Sequence, residues 1–179
     1  MTDKLLKLLN MNCFEAFDLT PTFDIDKPSL QNKYQKLQKQ FHPDNFVGES
    51  NSQQLLAVSV SAHINQAYTT LNSPLLLTLE LLKLNNLELN LSENTSLAPE
   101  FLTMQLEIHE QIEDAAQNKN IDALDRLEVD LVKKQQELIK KIEPEFNRKE
   151  FAKTVELTKE LAFYDKLIKI VATKIDRLM

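Results

Sequence analysis

The chain has 179 residues, 42% of them hydrophobic, and a formal net charge of −6 at neutral pH. That length allows one domain or two small ones with a real core, and the acidic balance argues against a protein built mainly to hold nucleic acid. A single glycine, Gly48, excludes phosphate-cradling loops and dinucleotide fingerprints, and a single cysteine, Cys13, excludes intramolecular disulfides and multi-thiolate metal sites.

A glycine-poor chain rich in Leu, Lys, Glu and Gln reads as all-α. Its first residues, "MTDKLLKLLNMN", carry an apolar run too short and too interrupted for a signal peptide or a membrane span, so the expected compartment is the cytoplasm. "NCFEAFDL" places Asn12 three residues before Glu15, a variant of the capping box, and predicts a short helix bearing Phe14 and Phe17. "TPTFDID" is a turn. A longer helix is predicted from about Lys27, with Pro28 tolerated in its first turn. Leu30, Tyr34, Leu37 and Phe41 form its apolar stripe, and Lys33, Lys36 and Lys39 form a basic face.

The helix breaks at His42-Pro43-Asp44, because proline lacks an amide hydrogen and restricts the residue before it. An imidazole and a carboxylate flanking a proline could serve as a catalytic pair, half of a metal site, a helix terminator or a signal read by another protein. After the loop "HPDNFVGESNS" a third helix is predicted near Ser52, with Leu56, Val60, Ile64, Ala67 and Leu71 as its stripe. Ser73 and Pro74 open a fourth, leucine-rich helix, "LLLTLELLKL", which reads as buried between two bodies. The polar stretch "NNLELNLSENTS" is the linker candidate.

From Pro99 onward the periodicity predicts three long amphipathic helices, about 99–118, 121–143 and 148–178, the second stopping before Pro144. Their stripes are Phe101, Met104, Ile108, Ile112 and Ala115; Leu124, Leu127, Leu131, Leu138 and Ile142; and Leu157, Leu161, Tyr164, Ile168, Val171 and Ile175. Short connections between such helices predict an antiparallel bundle.

Local support for catalysis is weak, since no Ser or Cys nucleophile lies near His42 in sequence. "HEQIE" at 109–113 is not a zinc-protease helix, because Glu113 stands where the second histidine must be. On the helix that starts at Pro99, Leu102 and Leu106 lie roughly 120–160° from the core stripe, rimmed by Glu107, Glu110 and Asp114. Phe163 is likewise off its own helix's main stripe. Two outer leucines rimmed by acids favour an interface over scattered exposed leucines.

The order of features sharpens the tripeptide: an aromatic helix, a basic helix, His42-Pro43-Asp44, then a partner helix containing "INQAYTTL". This arrangement resembles the J-domain of DnaJ-type co-chaperones. "SPLLLTLELLKL", "FLTMQLEIHEQIED" and "LAFYDKL" extend the likeness over nearly the whole chain to the HscB-type co-chaperones of iron–sulfur cluster assembly. The family often has lysine where this chain has Asn45 and a larger apolar residue where it has Thr103.

The resemblance implies a J-domain over 1–72 with a short N-terminal extension, a connector over 73–97 and a three-helix scaffold-binding bundle over 98–179, in a bent or L-shaped molecule. It implies two partners, an HscA/DnaK-type chaperone ATPase and an IscU-type scaffold, with no nucleic acid or membrane bound. Lys33, Lys36, Lys39, His42, Pro43 and Asp44 would meet the chaperone and stimulate its ATPase. Leu102, Thr103, Leu106, Glu107, Glu110, Asp114 and Phe163 would meet the scaffold. The chain would be no enzyme and would hold no cofactor, because the cluster is cargo on the scaffold. The competing readings are a helical nucleic-acid binder using the three lysines and a bundle enzyme with an unrecognised site.

Overall fold

A computed structural model describes residues 2–91 and 99–179, and within the helix that starts at Pro99 it leaves out the side chains of Pro99, Glu100 and Leu102. Among the described residues the chain is all-helical. The helices are α1 (Thr2–Leu9), α2 (Cys13–Ala16), α3 (Lys27–Phe41), a 3-10 turn (Pro43–Phe46), α4 (Asn51–Asn72), α5 (Pro74–Leu84), α6 (Pro99–Gln117), α7 (Ile121–Asn147) and α8 (Phe151–Leu178). The chain divides into two compact units, Met1–Leu87 and Glu88–Met179.

In the first unit α4 is the hub, packed against α1, α2, α3, α5 and the 3-10 turn. Its Ala57, Val60, Ile64, Ala67 and Leu71 are buried, while Leu56 is only partly covered. Phe14, Phe17, Leu30, Phe41 and Phe46 fill the core around it. The capping signals act as expected. Asn12 Oδ1 accepts the amides of Phe14 and Glu15 at 2.9 and 3.0 Å, and Glu15 Oε2 accepts the Asn12 amide at 2.9 Å. Ser73 Oγ accepts the Leu76 amide at 3.3 Å, opening α5 with Pro74 in its first turn. Burial of Leu75, Leu77, Leu81 and Leu82 places α5 in the first unit, against α4.

Helix α1 was not foreseen from the sequence. Leu5 and Leu8 are buried and pack the segment on α4, and Lys4 Nζ sits 5.4 Å from the centre of the Phe41 ring. Cys13 is buried, and that burial, reinforced by the Glu80 carboxylate, pushes its thiol up to about 12. It is therefore an inert core residue at neutral pH.

In the second unit α7 and α8 pair along their length and α6 packs on both. Ile112, Ala115, Leu124, Leu131, Leu138, Ile142, Leu157, Leu161, Tyr164, Leu167, Val171 and Ile175 form the core. Buried Thr154 and Thr158 return their hydroxyls to the carbonyls of Glu150 and Thr154, at 2.9 and 2.7 Å, so no polar group is stranded there.

One boundary is corrected. Helix α7 does not stop before Pro144 but runs to Asn147. Pro144 removes only one amide near the helix end. The last turn is held instead from beyond it. The Arg148 amide donates to Pro144 O at 3.1 Å, the Arg148 guanidinium reaches Glu145 at 2.7 Å, and Phe146 meets Phe151 edge-on at 6.1 Å.

Among the described residues, four helix ends close through a positive-φ residue that is not glycine. Asp18, Asn86, Lys119 and Lys149 take φ of 50°, 61°, 50° and 62°. Each is followed by an amide that reaches five residues back: Leu19 to Phe14, Leu87 to Leu82, Asn120 to Ala115 and Glu150 to Glu145. This is the Schellman closure, normally a glycine position. Gly48 does not take positive φ.

Candidate functional site

In the first unit the features converge on the end of α3. Phe41 is buried against the core, His42 leaves the helix with extended backbone (φ −59°, ψ 133°), and Pro43 starts the 3-10 turn. The Asn45 amide closes the turn on His42 O at 3.0 Å, and Phe46 anchors its far end in the core. A turn pinned on both sides thus carries two exposed polar side chains, with His42 56% and Asp44 84% exposed. His42 Nδ1 accepts the Asp44 amide at 3.3 Å, so the neutral ring keeps its proton on Nε2. Asp44 Oδ2 lies 3.4 Å from the same Nδ1. The turn offers one N–H donor and one carboxylate, and no nucleophile accompanies them.

The three lysines do not share one fate. Lys36 and Lys39 are exposed. Lys33 is half-buried, and its ammonium donates to Phe17 O and Asp18 O, both at 2.9 Å. It closes the C-terminal end of α2, where carbonyls lack partners and a cation is favoured. Lys27 does the same for α4, donating to Leu71 O at 2.7 Å, and partial burial holds its ammonium below the ordinary lysine range.

Behind the turn, α3 is locked to α4. Tyr34 stacks on Tyr68, Tyr34 Oη donates to Asn65 Oδ1 at 3.0 Å, and Gln38 Nε2 donates to Tyr34 Oη at 2.7 Å and also to Asn65 Oδ1. Asn65 and Tyr68 lie in the "INQAYTTL" stretch that carries part of the family resemblance; their partners needed the fold.

In the second unit α6 presents Leu106, 61% exposed, with Glu107, Glu110 and Asp114 also exposed around it. Thr103 is exposed too, and the side chain of Leu102 lies outside the described residues. Phe163 on α8 packs against α6 at Phe101 and His109. Its ring meets Phe101 edge-on at 5.2 Å, His109 at 6.4 Å and Tyr164 at 5.4 Å. It is half-buried, so it serves packing as well as surface. Tyr164 is buried and held above the usual phenol range, chiefly by that burial, and its Oη lies 3.6 Å from Met104 Sδ. Glu113 is bound by Lys174 of α8 through both carboxylate oxygens at 2.8 Å. The "HEQIE" carboxylate thus ties two helices together.

Among the described residues no cluster of three or more His, Cys, Asp or Glu is placed to hold a metal ion, and no helix is long and apolar enough to cross a membrane.

Comparison with known proteins adds to this geometry. Residues 97–171 match the family model described as the HSCB C-terminal oligomerisation domain. A co-chaperone HscB homologue of Paraburkholderia phytofirmans is 34% identical over 170 residues, covering 95% of this chain and 97% of that protein. One of Burkholderia mallei is 33% identical over 165 residues, covering 92% and 94%. Chaperone HscB from Vibrio cholerae superposes with a TM-score of 0.78 at 32% identity, over 94% of this chain and all of that one. Human co-chaperone HscB gives 0.80 at 27% identity, over 92% and 82%.

Proposed function

The chain belongs to the HscB family of co-chaperones, and from that premise we propose that it carries an IscU-type iron–sulfur scaffold to an HscA/DnaK-type chaperone and stimulates that chaperone's ATPase. The observation that carries the reading is the turn at His42-Pro43-Asp44. Two exposed polar side chains sit on a backbone fixed by Asn45 and Phe46, at the end of a helix with Lys36 and Lys39 exposed. A rigid donor–acceptor pair beside exposed cations suits recognition by an acidic protein surface. It has no built-in chemistry of its own. In this reading the chain regulates its partner's hydrolysis, holds no cofactor and works in the cytoplasm.

We assign the roles by the boundaries expected from the sequence, a J-domain over 1–72, a connector over 73–97 and a scaffold-binding bundle over 98–179; α5, within that connector, packs in the first compact unit. His42, Pro43, Asp44, Lys36 and Lys39 meet the chaperone, with Lys33 shaping the surface from within. Leu102, Thr103, Leu106, Glu107, Glu110, Asp114 and Phe163 meet the scaffold. Exposed Leu106 ringed by carboxylates supplies an apolar anchor with a polar rim, the usual anatomy of an interface hot spot.

The test mixes the purified chain with an HscA/DnaK-type ATPase and an IscU-type scaffold. Phosphate release by the ATPase rises with added chain, and the scaffold is retained on immobilised chain. A flat phosphate-release titration together with no scaffold retention overturns the proposal.

A further inference from the structure

We propose that Asn45 is a positioning residue: its side-chain amide clamps the His42-Pro43-Asp44 turn to the end of α3 and thereby sets how tightly the turn is read. This rests on the chaperone-binding role proposed above. Asn45 Nδ2 donates to Lys39 O at 2.8 Å and to Gln40 O at 3.4 Å. Both carbonyls belong to the last turn of α3, where the chain has left the helix and no later helical amide reaches back. Pro43 cannot supply such an amide, because it has none. The turn's own amides are otherwise spent: Asp44 N–H goes to His42 Nδ1 and Asn45 N–H to His42 O. Asn45 therefore closes a ring in both directions. Its backbone amide holds the start of the tripeptide, and its side chain holds the helix that precedes it.

The consequence is entropic. His42 and Asp44 are exposed and would lose rotational and backbone freedom on binding. A turn already fixed in one geometry has less freedom left to lose. Removing the clamp leaves both recognition side chains in place but makes the partner bear the ordering. The signature is a weaker half-saturation with an unchanged plateau, because the contacts themselves survive once formed.

The experiment uses the full chain with Asn45→Ala and Asn45→Asp. Asp keeps the shape but has no donor, and it adds a negative charge at a helix C-terminus, where it is unfavourable. ATPase titrations with an HscA/DnaK-type chaperone should show half-saturation shifted upward about three- to fivefold for Ala and further for Asp, at the wild-type plateau. Amide hydrogen exchange, which needs no partner, should accelerate at residues 44 and 45 and stay unchanged at Ala57 and Ile64. Wild-type half-saturation in both variants overturns the proposal, as does unchanged exchange at residues 44 and 45. A loss of stimulation that merely tracks unfolding across the core also overturns it. If the wild-type chain stimulates no chaperone, the functional reading fails instead, and the exchange measurement still decides the clamp.

Discussion

Tyr34 and Tyr68 stack with ring centroids 4.0 Å apart and planes inclined by 15°, joining α3 to α4 independently of the turn that follows. With the Asn65 hydrogen bonds beside them, they hold α3 in place whatever happens at its exposed end. His42 takes no part in these ring and hydrogen-bond contacts, and its side chain is more than half exposed. His42→Gln should therefore keep the wild-type circular dichroism and melting midpoint while abolishing stimulation of the chaperone ATPase. Undiminished phosphate release with His42→Gln would remove the turn from the contact.

The lysines should separate in two assays. Lys36→Glu with Lys39→Glu should weaken chaperone binding at least severalfold at low salt, with a smaller effect at high salt, and cost only about 0.5 kcal/mol of stability, from the charge reversed in the last turn of α3. Lys33→Glu should instead lower stability, by about 1–2 kcal/mol, because the carbonyls of Phe17 and Asp18 lose their donor and gain an anion. Denaturant melts and binding titrations on both variants measure this. Equal stability losses in the two would show that the Lys33 hydrogen bonds contribute nothing.

Leu106 and Phe163 should also part company. Leu106→Ala should reduce scaffold affinity about tenfold or more with an unchanged midpoint, since a side chain so exposed leaves no cavity. Phe163→Ala should reduce affinity and also cost about 2 kcal/mol, because its ring packs on Phe101 and Tyr164. Calorimetric titration paired with thermal melts separates the two effects. A large fall in the midpoint for Leu106→Ala would place that residue in the core and remove it from the interface.

A pH effect is expected at Glu160. Burial, and then the neighbouring Glu156 charge, hold its carboxyl above the ordinary glutamate range. A group raised in the folded state favours folding while protonated, so its contribution is complete below its unfolded pKa and is lost as pH rises through its folded one. Glu160→Gln should raise the midpoint at neutral pH by roughly 1–3 °C, given its partial exposure, and make no difference near pH 4. An equal gain at both pH values would point to side-chain shape rather than charge.

The sequence conveyed the parts of this fold whose causes are local. Asn12 with Glu15, Ser73 with Pro74, and the stripes of α4 and α7 announce themselves, because a cap or a 3.6-residue period is written within one turn or two. Helix α1 was not legible: it buries just two leucines, and what it covers is α4, some fifty residues downstream in its Gln53-to-Thr2 contact. In α8 the period led to Ile168, whereas Leu167 is the fully buried neighbour; a long stripe drifts, and the packing partner decides which flank is covered. The exposed pair at His42 and Asp44 could be anticipated from the proline between them. That Lys33 is claimed by two carbonyls could not, since a lysine row looks the same whether its heads meet water or backbone. Phe163 joined α6 only through three-dimensional proximity, which a helical wheel does not contain.

Asp18, Asn86, Lys119 and Lys149 close helices in a backbone conformation that costs a side-chain-bearing residue roughly 1 kcal/mol or more relative to glycine. The lysines gain least, having no short polar group to bond locally there. A chain that keeps such strain sits closer to its unfolding threshold, and in a cell that threshold governs how often a protease finds an open molecule. Lys119→Gly and Lys149→Gly should extend lifetime under proteolysis, although glycine's freer unfolded chain returns part of the gain. Two exposed lysines at helix ends are thus expected to shorten the time the folded chain survives proteolysis.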